Sequence, residues 1–191
     1  NAVAVEATPA AIEALAARPE IGIALPNEPV EIVRPVSSAP SADKSPGGIE
    51  YGLAQINAPE MWAAGITGEG SVVCNLDTGV RGEHPAIADR WLGNDVPARH
   101  AWYDPLAGKP NPYDNDRLSP THGSHTMGTM CGLDEAASDT IGVAIGAKWI
   151  AAKVFNRFGS GNTTNILAAF EWAADPDRNP YTANDVPDVI N

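Results

Sequence analysis

The 191-residue chain carries 24 Asp and Glu against 12 Lys and Arg, a formal charge of −12, and its pI lies near 4.5. That balance excludes a generic binder of nucleic-acid phosphates, and a mean hydropathy of −0.18, with no apolar run near the roughly 20 residues a bilayer crossing needs, excludes a membrane-spanning helix. A hydrophobic fraction of 43% can build a core, 18 Gly and 17 Pro call for many turns, and two cysteines are too few for a disulfide scaffold.

In chain order, Asn1-Ala-Val-Ala-Val5 has neither the basic start nor the long apolar stretch of a signal peptide. Either the chain is cytoplasmic or it begins downstream of a removed segment. Residues 1–34 read as a small β-α-β unit. Val3–Val5 suits a strand, Thr8-Pro9 offers an N-cap followed by proline at the first helical position, and the helix runs to about Ala17. Ile12, Leu15 and Ala16 give it an apolar stripe that must dock on something, and Ile21–Leu25 resembles a second strand. Residues 35–48 are rich in Pro, Ser and Gly without periodicity and read as an exposed linker.

From Ile49 the pattern becomes α/β. A short helix is predicted around Pro59–Ala64, a strand over Ser71–Leu76 and a mostly irregular, proline-rich stretch over 85–120. A helix should start near His122, followed by a buried strand over Trp149–Phe155. A further helix is predicted over Thr164–Ala174 with Ile166, Leu167 and Phe170 inward, and a last strand over Asp188–Asn191. Strands alternating with helices predict a mainly parallel sheet covered on both faces.

In such sheets the working site lies beyond the carboxyl ends of the strands. Asp77 sits there, closing an apolar strand, and Gly79 permits a sharp turn that would aim its carboxylate at the site. The plainer alternative is an aspartate that only hydrogen-bonds its own turn. The second signal is Thr121-His-Gly-Ser-His-Thr-Met-Gly-Thr-Met130, a helix start with two histidines. Each glycine in a helix costs about 1 kcal/mol relative to alanine, so Gly123 and Gly128 suggest that close packing or ligand access outweighs propensity. One imidazole of this segment could face Asp77.

Asp77-Thr-Gly, His122-Gly-Ser-His, Ile141-Gly-Val-Ala and Ala151-Ala-Lys-Val-Phe stand in one order along the chain. With them come Tyr51-Gly-Leu, Ile56-Asn-Ala-Pro-Glu-Met-Trp62, Phe158-Gly-Ser-Gly161 and Glu171-Trp-Ala. Together they resemble the N-terminal half of a subtilisin-like serine peptidase over residues 49–191, and the Trp102–Asp114 loop is most similar to the bacillopeptidase F branch. Residues 1–34 resemble the end of the inhibitory propeptide of such enzymes.

The resemblance implies a three-layer α/β fold with a mainly parallel sheet, incomplete in this chain, preceded by a small α+β propeptide remnant. It implies an Asp-His-Ser triad in which Asp77 is the orienting acid and His122 the general base, with His125 structural. Gly159, Ser160 and Gly161 match the edge that pairs with extended substrate backbone, and Phe155 matches an apolar subsite wall. The implied partners are extended polypeptides, the chain's own propeptide and a C-terminal half of the domain. Secretion is implied, and the chemistry calls for no cofactor. Calcium is common in the family; Asp104, Asp114, Asp116, Asp134, Glu135 and Asp139 are loop carboxylates without calcium-loop spacing, and none is assigned as a ligand.

The chain also departs from the family. No Gly-Thr-Ser-Met-Ala motif occurs, and Ser124, Ser138 and Ser160 sit in segments with other roles, so this chain alone is expected to be inactive. Thr126-Met127 replaces the usual Val-Ala, and Ile145 replaces a usual proline. Cys74 and Cys131 are expected as buried free thiols, with a bridge as the alternative. Three rival readings remain: a non-catalytic homologue acting as a binding module, an aspartic peptidase built on Asp77-Thr-Gly, and a metal hydrolase using His84, His122 and His125.

Overall fold

The computed structural model describes residues 3–33, 48–117, 121–182 and 185–191. Their helices are α1 (Pro9–Ala16), α2 (Tyr51–Gln55), α3 (Ala58–Ala63), α4 (His122–Cys131) and α5 (Thr163–Ala174). Their strands are β1 (Pro29–Glu31), β2 (Val72–Asp77), β3 (Trp102–Tyr103), β4 (Leu133–Asp134), β5 (Asp139–Thr140), β6 (Lys148–Lys153), β7 (Ser160–Asn162) and β8 (Val189–Ile190). Three 3₁₀ turns, Ala88–Arg90, Leu92–Asn94 and Ala98–His100, occupy much of the stretch between β2 and β3.

The central sheet has the order β3-β6-β2-β8, with every pairing parallel. Side chains alternate across a strand, and here the alternation sorts chemistry. Val72, Cys74 and Ile150 face a layer that includes Ala173 of α5, while Ala152 meets Ala169 of the same helix. Val73, Trp149 and Ala151 face Met127 and Cys131 of α4. Asn75, Asp77 and Lys153 share that second side by parity with Val73 and Ala151. The result is the expected α/β architecture, helix over sheet over helix, with the polar strand residues gathered under α4. Burying a large apolar side chain contributes about 1.5–3 kcal/mol, and the fully buried Trp149 also donates its indole N–H to the Ile87 carbonyl at 2.8 Å.

The N-terminal unit differs from its predicted form. α1 is capped as expected, with the Thr8 hydroxyl accepting from the Ala11 N–H at 3.4 Å and Pro9 in the first turn. None of its residues is buried, however, so the Ile12 stripe meets no core among the described residues. Val3–Val5 and Ile21–Leu25 are not strands, and Val3, Val5, Ile23 and Leu25 are exposed. Extended segments become strands by finding a ladder partner, and in this region the partner, β7, is met by Pro29–Glu31 instead. The linker expected over 35–48 lies, but for Gly48, outside the described residues.

In α5, Leu167 and Phe170 point outward, and the buried positions are Ala169 and Ala173. Small residues let this helix lie close on the sheet, leaving the larger ones at its flanks. Cys74 and Cys131 are buried free thiols in layers on opposite sides of the sheet, which rules out a bridge between them. Burial pushes the Cys74 thiol up to about 12 and the Cys131 thiol up to about 11, the latter against the opposing pull of Arg90.

Candidate active site

β2 stops at Asp77 because the chain turns sharply at Gly79, whose φ of +107° disfavours a side chain and where a Cβ would fall 2.0 Å from the Tyr113 carbonyl oxygen. α4 begins directly against that turn. A Cβ on Gly123 would meet the Gly79 carbonyl at 2.1 Å, so the glycine allows helix backbone to touch strand-end backbone. The close-packing role predicted for it is real, whereas at Gly128 the nearest atom would lie 3.8 Å away.

The first turn of α4 is capped from outside the helix. Thr121 adopts a left-handed conformation and makes no side-chain capping bond. The Gly123 N–H donates to the Thr78 hydroxyl at 2.9 Å, and the Ser124 N–H and hydroxyl donate to Asp114 Oδ2 at 3.0 and 2.9 Å. Thr78 in turn donates to Asp114 Oδ1 at 3.1 Å. One carboxylate thereby ties the strand-end turn, the 113–117 loop and the helix start together.

This scaffold aims His122 at Asp77. His122 Nδ1 lies 2.8 Å from Asp77 Oδ1 and 2.9 Å from Oδ2. The carboxylate can only accept, so Nδ1 carries the hydrogen and Nε2 is the basic nitrogen of the neutral ring. The carboxylate also accepts from the Thr78 N–H at 2.6 Å and the Thr126 hydroxyl at 3.1 Å. The Asp77 side chain is 6% exposed and that of His122 19%, so the acid is shielded while the imidazole reaches the surface.

Beneath the pair lies Lys153, 2% exposed. Its ammonium donates to the Thr78 carbonyl and, at 3.1 Å, to the Phe155 carbonyl. Burial lowers its pKa, opposed by the charges of Asp114, Asp104, Asp116 and Asp77. Tyr113, which donates to Asp104 Oδ2 at 3.0 Å, is pushed upward by burial and by that carboxylate.

The other predicted site residues lie along the strand-to-edge turn. The Phe155 N–H donates to the Asp77 carbonyl at 3.1 Å, joining the predicted subsite wall to the acid's own backbone. Ser160 and Gly161 belong to β7, and Gly159 precedes it. That edge is occupied by β1, antiparallel, with Val30 opposite Gly161 and Glu31 opposite Ser160. The Ile32 N–H donates to the Gly159 carbonyl at 2.9 Å, and Ile32 is buried. His125 is exposed, as is His84, whose Nδ1 accepts from the Ala86 N–H at 3.2 Å. Among the described residues no group of three or more His, Cys, Asp or Glu side chains could hold a metal ion. Asp104 instead accepts from the N–H groups of Leu106, Ala107 and Lys109.

Sequence reasoning missed Asp114, Thr126, Asn75 and Lys153 as members of the site. Parity along β2 and β6 could have found Asn75 and Lys153 beside Asp77, and helical spacing could have found Thr126 one turn beyond His122. Asp114 carries no local signal.

Residues 68–191 match the family model of the Subtilase family. Over its full length the chain is 38% identical to Bacillopeptidase F of Bacillus subtilis, of which it covers 14%. It is 32% identical to Subtilisin E of the same organism over 65% of this chain and 29% of that one. A crystal structure of a cold adapted subtilisin-like serine proteinase aligns with 57% of this chain and 33% of its own, at 26% identity and a TM-score of 0.45. The chain thus spans less than a third of either relative, and within that span the match takes in the strand bearing Asp77, the helix bearing His122 and the sheet between them. The chain belongs to the Subtilase family.

Proposed function

We propose that this chain supplies the acid and the base of a serine endopeptidase whose nucleophilic serine and oxyanion donors come from residues outside these 191. The observation that carries the reading is His122 Nδ1 held by both oxygens of a shielded Asp77 carboxylate, at 2.8 and 2.9 Å. In that arrangement Nε2 of His122 takes the serine proton as the hydroxyl attacks the peptide carbonyl. It then returns the proton to the leaving amine, and a water molecule repeats the cycle on the acyl-enzyme. Asp77 stays ionised throughout and stabilises the imidazolium. Among the described residues, Ser124 is engaged by Asp114, Ser138 lies between β4 and β5, and Ser160 lies in β7.

Substrate is expected to lie along β7 as an added antiparallel strand, the position β1 fills. Main-chain pairing tolerates many sequences, so broad specificity follows. Residues 1–34 act, in this reading, as an inhibitory segment laid over the cleft of a secreted enzyme, with Phe155 walling an apolar subsite.

The test is labelling of the full-length protein by a serine-directed fluorophosphonate. Labelling is expected in the wild type, lost in His122→Ala and absent from the 191-residue chain alone. A His122→Ala variant that labels at the wild-type rate overturns the assignment, and a wild type that neither labels nor hydrolyses peptides favours a binding module.

A further inference from the structure

We infer that Thr126, oriented by Asn75, is a positioning residue that fixes the Asp77 carboxylate from the side away from Thr78; the inference rests on the peptidase reading of Asp77 and His122. Thr126 stands one helical turn after His122 on α4, and Asn75 two residues before Asp77 on β2, so helix and strand periodicity bring both to the same carboxylate. The Asn75 amide nitrogen has two hydrogens and two acceptors, the Gly123 carbonyl at 2.9 Å and the Thr126 hydroxyl oxygen at 2.9 Å. Asn75 is 1% exposed, so no water competes for them.

The allocation decides the direction of the next bond. Thr126 Oγ1 is an acceptor toward Asn75, which leaves its single hydrogen for one of two oxygens, the Gly123 carbonyl at 3.0 Å or Asp77 Oδ2 at 3.1 Å. The carbonyl already receives the Asn75 amide, and a carboxylate is the stronger acceptor. The hydrogen therefore goes to Asp77. The amide oxygen of Asn75 accepts from the Asn191 side chain at 2.9 Å, which holds the amide in the orientation that presents its NH₂ to Thr126.

The relay runs Asn191 to Asn75 to Thr126 to Asp77, and it meets His122 at the carboxylate. Oδ1 is held by the Thr78 N–H and Oδ2 by the Thr126 hydroxyl, so the plane of the carboxylate is fixed from both ends and the imidazole faces both oxygens. The subtilisin-like pattern usually has valine where Thr126 stands, which has no hydroxyl to give. The relay is thus a feature of this sequence built into a common scaffold.

The experiment compares full-length wild type, Thr126→Val and Thr126→Ser. Valine keeps the volume and removes the donor; serine keeps the donor. In Thr126→Val, kcat on a peptide substrate should fall by about threefold to tenfold, the loss of part of one charge-assisted hydrogen bond, with KM unchanged within about twofold. The far-downfield proton resonance of His122 Nδ1–H should shift in the same variant. Thr126→Ser should restore both. Unaltered kcat and an unmoved resonance in Thr126→Val, or a Thr126→Ser variant as impaired as the valine one, overturns the relay. If the wild type hydrolyses nothing, the peptidase reading falls by itself and the resonance alone decides whether Thr126 holds Asp77.

Discussion

Asp77 accepts from three separate groups, and each fixes a different coordinate of the same carboxylate. Replacing it by asparagine keeps the shape but presents an amide to His122 Nδ1 and favours the wrong ring tautomer. In full-length Asp77→Asn, kcat should fall by about 10⁴, the size seen when the corresponding acid is altered in other triads, with the thermal transition little changed. A variant with near-wild-type turnover would refute the role of the acid. Asp114 is expected to act through structure. Its loss in Asp114→Ala leaves the Ser124 N–H and the Thr78 hydroxyl without their acceptor, and should cost about 2 kcal/mol in denaturant unfolding. Gly123→Ala inserts a methyl where the Gly79 carbonyl stands 2.1 Å away, so the helix must retreat from the strand end. The expected readout is a longer gap between Nδ1 and Asp77 in a crystal structure of the variant.

At the scale of elements, β1 and β7 make the most direct statement about ligands. On the proposed peptidase reading, a peptide spanning residues 27–33 should compete with a peptide substrate for the full-length protein freed of its own N-terminal segment. The same peptide with Ile32→Pro should compete about tenfold less well, because proline removes the N–H that donates to the Gly159 carbonyl. Equal inhibition constants for the two peptides would show that the edge pairing contributes nothing. β1 was also the element least legible in the sequence, since Pro29-Val-Glu31 has no strand pattern of its own and exists as a strand only because β7 offers a ladder. By contrast β2, β6 and α4 were readable: Val72-Val-Cys74 and Ile150-Ala-Ala152 are apolar runs buried on both faces, and α4 announces itself by its histidines and small residues. The outward Leu167 and Phe170 misled because size suggested burial, while the close approach of α5 is made by Ala169 and Ala173. Asp114 was illegible as a site residue because its partners, Thr78 and Ser124, are distant in the chain, and only the closure of the sheet against α4 brings them together, whereas Thr126 stood one turn from His122 and could have been read from helical spacing.

For the whole molecule, the buried thiols set an alkaline limit. An exposed thiol loses its proton near 9, while the buried Cys74 keeps it until about 12. Between those values the unfolded state binds fewer protons than the native one, so stability falls as pH rises, by about 1.4 kcal/mol per pH unit for one such group. Melting of the full-length protein across pH 9–11 should show this slope, and Cys74→Ala should flatten it by one proton; an unchanged slope would mean that Cys74 ionises as freely in the fold as outside it. Lys153 works in the opposite sense, because burial lowers its pKa and the native state gives up that proton sooner than the unfolded chain. The alternation along β2 carries a last consequence. Sliding that strand by one residue would thrust Asn75 and Asp77 into the oily layer beneath α5 and bring Cys74 under α4, stranding an amide and an anion with no donor to meet them. The groups assigned to chemistry therefore double as proofreaders of assembly, since a misthreaded sheet is penalised at the very positions where the finished protein would do its work.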